Sequence, residues 1–175
     1  QHSFVSTLQA DASLSADELF LVLNDCTLRI RSNSTALLAE LAGYFLHVAS
    51  DPVTPDIDIV AIDRDPPELD IDFIDWKRPP GKSGRKDSYV DLPGGRLIRT
   101  LRTGMVSLQR APPRTAAGPC LNSSSQVINF INSQYRNWLQ NRGWLICHAA
   151  GLVYRAKGLG IAGFPGGGKS TLVLH

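Results

Sequence analysis

No uninterrupted apolar run approaches the roughly 18–20 residues that span a bilayer, and the opening QHSFVSTLQADASL lacks the basic, apolar and cleavage regions of a secretory leader. The expectation is a cytoplasmic protein with no membrane partner. Cysteine is sparse: Cys26, Cys120 and Cys147 are an odd number without CxxC spacing, which argues against a disulfide framework and against a zinc site. Reduced, mostly buried thiols are expected. Carboxylates are missing from one long stretch, because no aspartate or glutamate follows Asp91.

What is present suits a globular chain. At 175 residues, 43% hydrophobic and 19% charged, it can form one domain, or one domain and part of a second, around a sizeable core. The net charge of +2 hides an asymmetry. Residues 1–75 hold three basic and fourteen acidic side chains, whereas residues 76–175 hold fifteen basic and two acidic. Mutual neutralisation on folding is the plainer reading of this, and a field that draws in anionic ligands is the sharper one.

Residues 19–23 and 26–31 predict a hairpin around Asn24-Asp25, the second strand alternating in polarity. Asn33-Ser34 caps an amphipathic helix expected over residues 35–48, with Leu37, Leu38, Leu41 and Phe45 on one face. Residues 56–63 read as a strand, and residues 69–74 as a second acidic-apolar run. Nine of the sixteen acids lie between residues 51 and 75, but alternating Asp and Ile describes the wet face of a strand better than a metal cluster. Residues 76–86 form a basic Pro/Gly-rich loop. It contains Gly81-Lys82-Ser83, only half of a phosphate-loop motif, since Trp76 stands where the first glycine belongs. A solvated loop is the expectation there. Residues 88–92, 96–102 and 105–110 predict a three-stranded meander, residues 111–120 a linker, and residues 123–141 a helix carrying Val127, Phe130, Ile131, Tyr135 and Trp138 on one face.

Residues 163–170, GFPGGGKS, satisfy G-x-x-x-x-G-K-S in full. Gly163, Gly166, Gly167 and Gly168 let backbone N–H groups turn toward phosphate oxygens. Lys169 supplies charge to the β and γ phosphates, Ser170 offers a hydroxyl to Mg²⁺, and Thr171 stands beside them. An apolar strand at residues 159–162 feeds the loop, and residues 169–174 begin a helix after it. Residues 144–154 predict the preceding strand, joined by a tight turn at residues 155–158. Such a turn allows only an antiparallel neighbour, unlike the parallel core of common nucleotide kinases and GTPases.

The run CHAAGLVY (147–154) followed by KGLGIAGFPGGGKST (157–171) resembles the start of the kinase domain of the HPr kinase/phosphorylase family, and more narrowly the HPr-kinase-related proteins. The specific similarity covers residues 144–175. It implies an α/β protein in which residues 123–175 open a phosphoenolpyruvate-carboxykinase-like P-loop core, after an α+β region of unrecognised role at residues 1–122. It further implies ATP and Mg²⁺ as cofactors and nucleotide as ligand. A serine in a protein is the implied acceptor, a homo-oligomer is compatible with the family, and nucleic acid is not an expected partner. In this resemblance Gly163, Gly168, Lys169 and Ser170 bind the nucleotide and metal, Lys169 stabilises the transferred phosphoryl, and His148 sits near the phosphates. Taken on its residues alone, His148 reads rather as a hydrogen-bonded histidine of a half-buried strand, and only the resemblance brings the two readings level. The family's catalytic acids follow the P-loop helix and are missing here, so the chain reads as a piece of a longer kinase and is not expected to turn over alone. Two other classes stay open: a nucleotide sensor that transfers nothing, and a protein-interaction domain in residues 1–122 whose basic loop docks an acidic partner.

Overall fold

The computed structural model describes residues 2–77, 80–81, 87–109, 112–164 and 166–174. It divides into two compact units, Gln1–Tyr135 and Arg136–His175, the division falling inside a helix.

The first unit is built on one mixed sheet. Strands β1 (Glu18–Leu23) and β2 (Cys26–Ser32) pair antiparallel from Leu23↔Cys26, across a turn in which Asn24 takes a positive φ of 54°. The alternation expected of β2 is observed, with Cys26, Leu28, Ile30 and Ser32 buried and the residues between them half-buried. Ser34 caps α2 (Thr35–Tyr44): its Oγ accepts from Leu37 N at 3.2 Å. The helix stops short of the expected Val48. After Gly43, a poor helix former, the chain tightens into a 3-10 turn at Leu46–Val48. A short β3 (Ala49–Ser50) then pairs with β1.

β4 (Ile57–Asp63) returns parallel to β2, with α2 and β3 between them in sequence. β5 (Ile74–Asp75), β6 (Ser88–Leu92), β7 (Gly95–Arg99) and β8 (Val106–Gln109) run as an antiparallel meander. Residues 78–79 and 82–86 of the expected basic loop, including Lys82 and Ser83, lie outside the described residues.

The expected linker is corrected. Residues Arg114–Gly118 form β9, which pairs antiparallel with β8 and parallel with β4, giving the order β3-β1-β2-β4-β9-β8-β7-β6-β5. The small residues that imitate a loop are what this central position takes. Ala116 and Ala117 are wholly buried, and Gly118 has φ +138° with Met105 so close that an added Cβ would lie 2.8 Å from its Cα.

Side chains from both sides close the sheet. Val60, Ile62, Leu97, Val106, Leu108 and Ala117 form a cluster with Leu8 of α1 (His2–Gln9), a helix the sequence pattern did not announce. Leu69, Ile71 and Phe73, the apolar members of the second acidic run, pack against the same cluster. α3 (Ser124–Asn141) buries Val127, Phe130 and Ile131, and its Ser133 and Gln134 side chains reach Gln109 of β8. Gly143, at φ +82°, ends α3 by letting Gly143 N and Trp144 N return to Gln140 O and Leu139 O.

Three of the acids of residues 51–63 have partners on neighbouring segments. Asp56 accepts from Thr27 N and Oγ1, Asp58 lies between Arg29 and Arg31 at 3.0 and 2.6 Å, and Asp63 accepts from Leu121 N at 2.9 Å. Asp58 thus faces cations across the strand rather than open water.

The second unit comprises the end of α3, a hairpin of β10 (Ala149–Tyr154) and β11 (Lys157–Ala162), a loop, and α4 (Lys169–Leu174). The antiparallel pairing matches the expectation, but the strand begins at Ala149, not Trp144. β11 ends at Ala162, paired with Ala149, so residues 144–148 have no strand to lie against. The turn is shorter than expected: Arg155 and Ala156 alone make it, both at positive φ, 46° and 60°, as a two-residue hairpin turn requires. Among the described residues no helix is long and apolar enough to cross a membrane.

Candidate functional site

The hairpin register determines what surrounds residues 163–170. Ala162 ends β11 opposite Ala149, so the chain leaves the sheet at Gly163 while His148 enters it directly opposite. His148 therefore flanks the end of the hairpin from which the loop departs. It is exposed and, among the described residues, makes no hydrogen bond or ion pair. Cys147 beside it is a free, exposed thiol, against the expectation of burial, whereas Cys26 and Cys120 are buried as expected.

Within the loop, Gly166 and Gly168 take φ values of 77° and 72°, a region open to glycine and disfavoured for other residues. These two inversions allow Gly167 N to donate to Phe164 O at 3.1 Å, and Leu172 N donates to Gly168 O at 2.9 Å where α4 begins. Pro165 lies outside the described residues.

Lys169 curls back over the loop. Its Nζ donates to Gly163 O at 3.1 Å and Phe164 O at 3.0 Å. The two carbonyls hold the ammonium by neutral acceptors alone, an arrangement that no sequence signal foretold. Ser170 and Thr171 are exposed on the first turn of α4, and α4 lies against β10.

The groups available are consequently one-sided: glycine N–H groups, one ammonium and two hydroxyls. Residues 136–175 include no Asp or Glu, and among the described residues no three His, Cys, Asp or Glu side chains gather to hold a metal. N–H groups and an ammonium are donors of the kind phosphate oxygens accept, whereas to Mg²⁺, which protein sites commonly hold by one or two carboxylates together with phosphate oxygens, residues 136–175 offer the hydroxyls of Ser170 and Thr171.

Several apolar side chains of this unit are exposed. Phe164 is 89% exposed, Leu174 82% and Leu172 65%. Val153, Tyr154 and Leu159 of the hairpin are exposed as well.

No protein-family model, curated protein or solved structure matches the chain.

Proposed function

We propose that the chain carries the phosphate-binding loop of an ATP-dependent protein kinase, similar in its Walker A segment to HPr kinase/phosphorylase and built on the same phosphoenolpyruvate-carboxykinase-like core. The observation that carries this reading is the folded loop itself: Gly166 and Gly168 inverted, and the Lys169 ammonium resting on the Gly163 and Phe164 carbonyls. On ligand binding, phosphate oxygens replace those carbonyls as the acceptors of Lys169, exchanging neutral hydrogen bonds for charge-assisted ones that are roughly twice as strong. The same ammonium then stabilises charge that gathers on the phosphoryl group as it transfers to a serine hydroxyl. Ser170 is where a magnesium carried by the nucleotide would meet the protein, and His148, opposite Gly163 at the end of the hairpin, would approach the phosphates. A cytoplasmic setting and a homo-oligomer belong to this reading.

The experiment is a titration of the 175-residue chain with ATP, beside Lys169→Ala. Saturable binding that disappears in the variant, with an unchanged circular dichroism spectrum, is the expected result. Equal binding by both chains sinks the proposal.

A second reading is a nucleotide sensor that transfers nothing, which the same loop and Lys169 would serve. A serine-phosphorylated protein product made from ATP and lost with Lys169 would exclude it.

A further inference from the structure

We infer that residues 163–170 take a nucleoside polyphosphate in its metal-free form in preference to its magnesium complex. The inference rests on the reading of this segment as a phosphate loop, and it turns on the loop and Lys169 rather than on the six residues of α4.

Residues 136–175 contain Arg136, Arg142, Arg155, Lys157 and Lys169 and no carboxylate side chain. Arg142 lies 3.6 Å from the centre of the Trp138 ring and Arg155 5.1 Å from that of Tyr154, so both are held by aromatic faces that leave their charge uncancelled. Lys169 is held by two carbonyls, which also leave its charge intact. Every permanently charged side chain between residues 136 and 175 therefore has the sign that attracts phosphate oxygens.

Magnesium changes the ligand, not the site. Once bound to the phosphates it cancels much of their negative charge, and with it much of the attraction to Lys169. In return the metal gains only the hydroxyls of Ser170 and Thr171, neutral oxygens no better than the water they displace, and Mg²⁺ sheds water reluctantly. The exchange is a net loss of affinity. Because the loop is exposed, the loss is moderated by water and shrinks further with salt. A magnesium ion positioned for transfer would need a carboxylate brought from outside residues 136–175.

Calorimetric titration of the 175-residue chain with ATP, once in EDTA and once in excess MgCl₂ at matched ionic strength, tests the inference, with inorganic triphosphate as a base-free ligand in the same pair of buffers. The expected dissociation constant is about threefold or more lower in EDTA at low salt, with the ratio approaching one as NaCl is added and the same sign for triphosphate. Tighter binding in magnesium, or no difference between the buffers, overturns the inference and leaves the phosphate-loop reading standing. Absence of saturable binding in both buffers by a folded chain, or binding that Lys169→Ala does not diminish, overturns both.

Discussion

β1–β2 and β10–β11 are both antiparallel hairpins closed by two-residue turns, yet Leu21 and Ile30 are fully buried while Val153 and Leu159 are 78% and 55% exposed. The strands themselves are similar in apolar content. What differs is what lies beside them. β1–β2 has β3 on one edge and β4 on the other, with α2 packed against it, whereas β10–β11 is a sheet of two strands with α4 against β10. An isolated hairpin is marginal in water, and burial is a property of its neighbours more than of its sequence. The charges divide in the same way. In the first unit Asp58 is matched by Arg29 and Arg31 and Asp91 by Arg96, while the second unit has cations only.

Four measurements would break or sharpen this contrast. The largest effect is expected from Leu21→Ala, which should lower the stability of the first unit by about 2–5 kcal/mol in urea unfolding followed by far-ultraviolet circular dichroism. A change under 1 kcal/mol would mean that the closed core is not closed at β1. Gly118→Ala comes next, at about 2 kcal/mol or more, since φ +138° is unfavourable for any side chain and the new Cβ meets the Met105 backbone. Stability equal to the parent chain would show that β9 and Met105 can separate freely.

Third is a pH effect confined to the first unit. Burial, with a smaller contribution from the charge of Asp63, pushes the Cys120 thiol from 9.0 up to about 12. Between those values the unfolded chain ionises at this thiol and the folded chain does not, so the unfolded state binds fewer protons. The contribution of Cys120 is thus fully present below pH 9.0 and is lost as pH rises toward about 12, at up to about 1.4 kcal/mol per pH unit. Urea midpoints of the parent chain should fall more steeply above pH 9 than those of Cys120→Ala, and parallel curves would contradict the burial. The smallest effect is expected for Leu159→Ala, within about 0.5 kcal/mol because the side chain is already wet. A large loss there would reveal a covering surface for the second unit.

Much of the first unit was legible. The β2 alternation, the Ser34 cap, the meander and the apolar stripe of α3 are local signals, each set by neighbours within a few residues in the chain. β9 was not legible, because a strand flanked closely on both sides selects Ala and Gly for space, and the resulting RTAAG segment looks like a loop. The early end of α2 and the late start of β10 were hidden for the converse reason: apolar residues continue past the point where a partner exists. At the candidate site the residue types in GFPGGGKS announced a phosphate loop, while the resting place of the Lys169 ammonium depends on main-chain carbonyls, which carry no sequence signal. The position of His148 followed only once the register Ala149↔Ala162 was known.

The insertion of β9 between β4 and β8 has a consequence for how the chain acquires its structure. Pairs such as Leu92↔Gly95 join neighbours in sequence, so the hairpins of the meander can zip early and alone. Ile59↔Arg114 joins the two ends of a long excursion, and closing it costs entropy before any contact repays it. Until that pairing is made the sheet exists as two separate pieces, with β2–β4 on one side and β6–β9 on the other, since β9 follows β8 closely and pairs with it from Leu108↔Thr115. The timing of folding therefore rests on when β4 meets β9, a five-residue strand of mostly small side chains that offers little apolar surface to attract it.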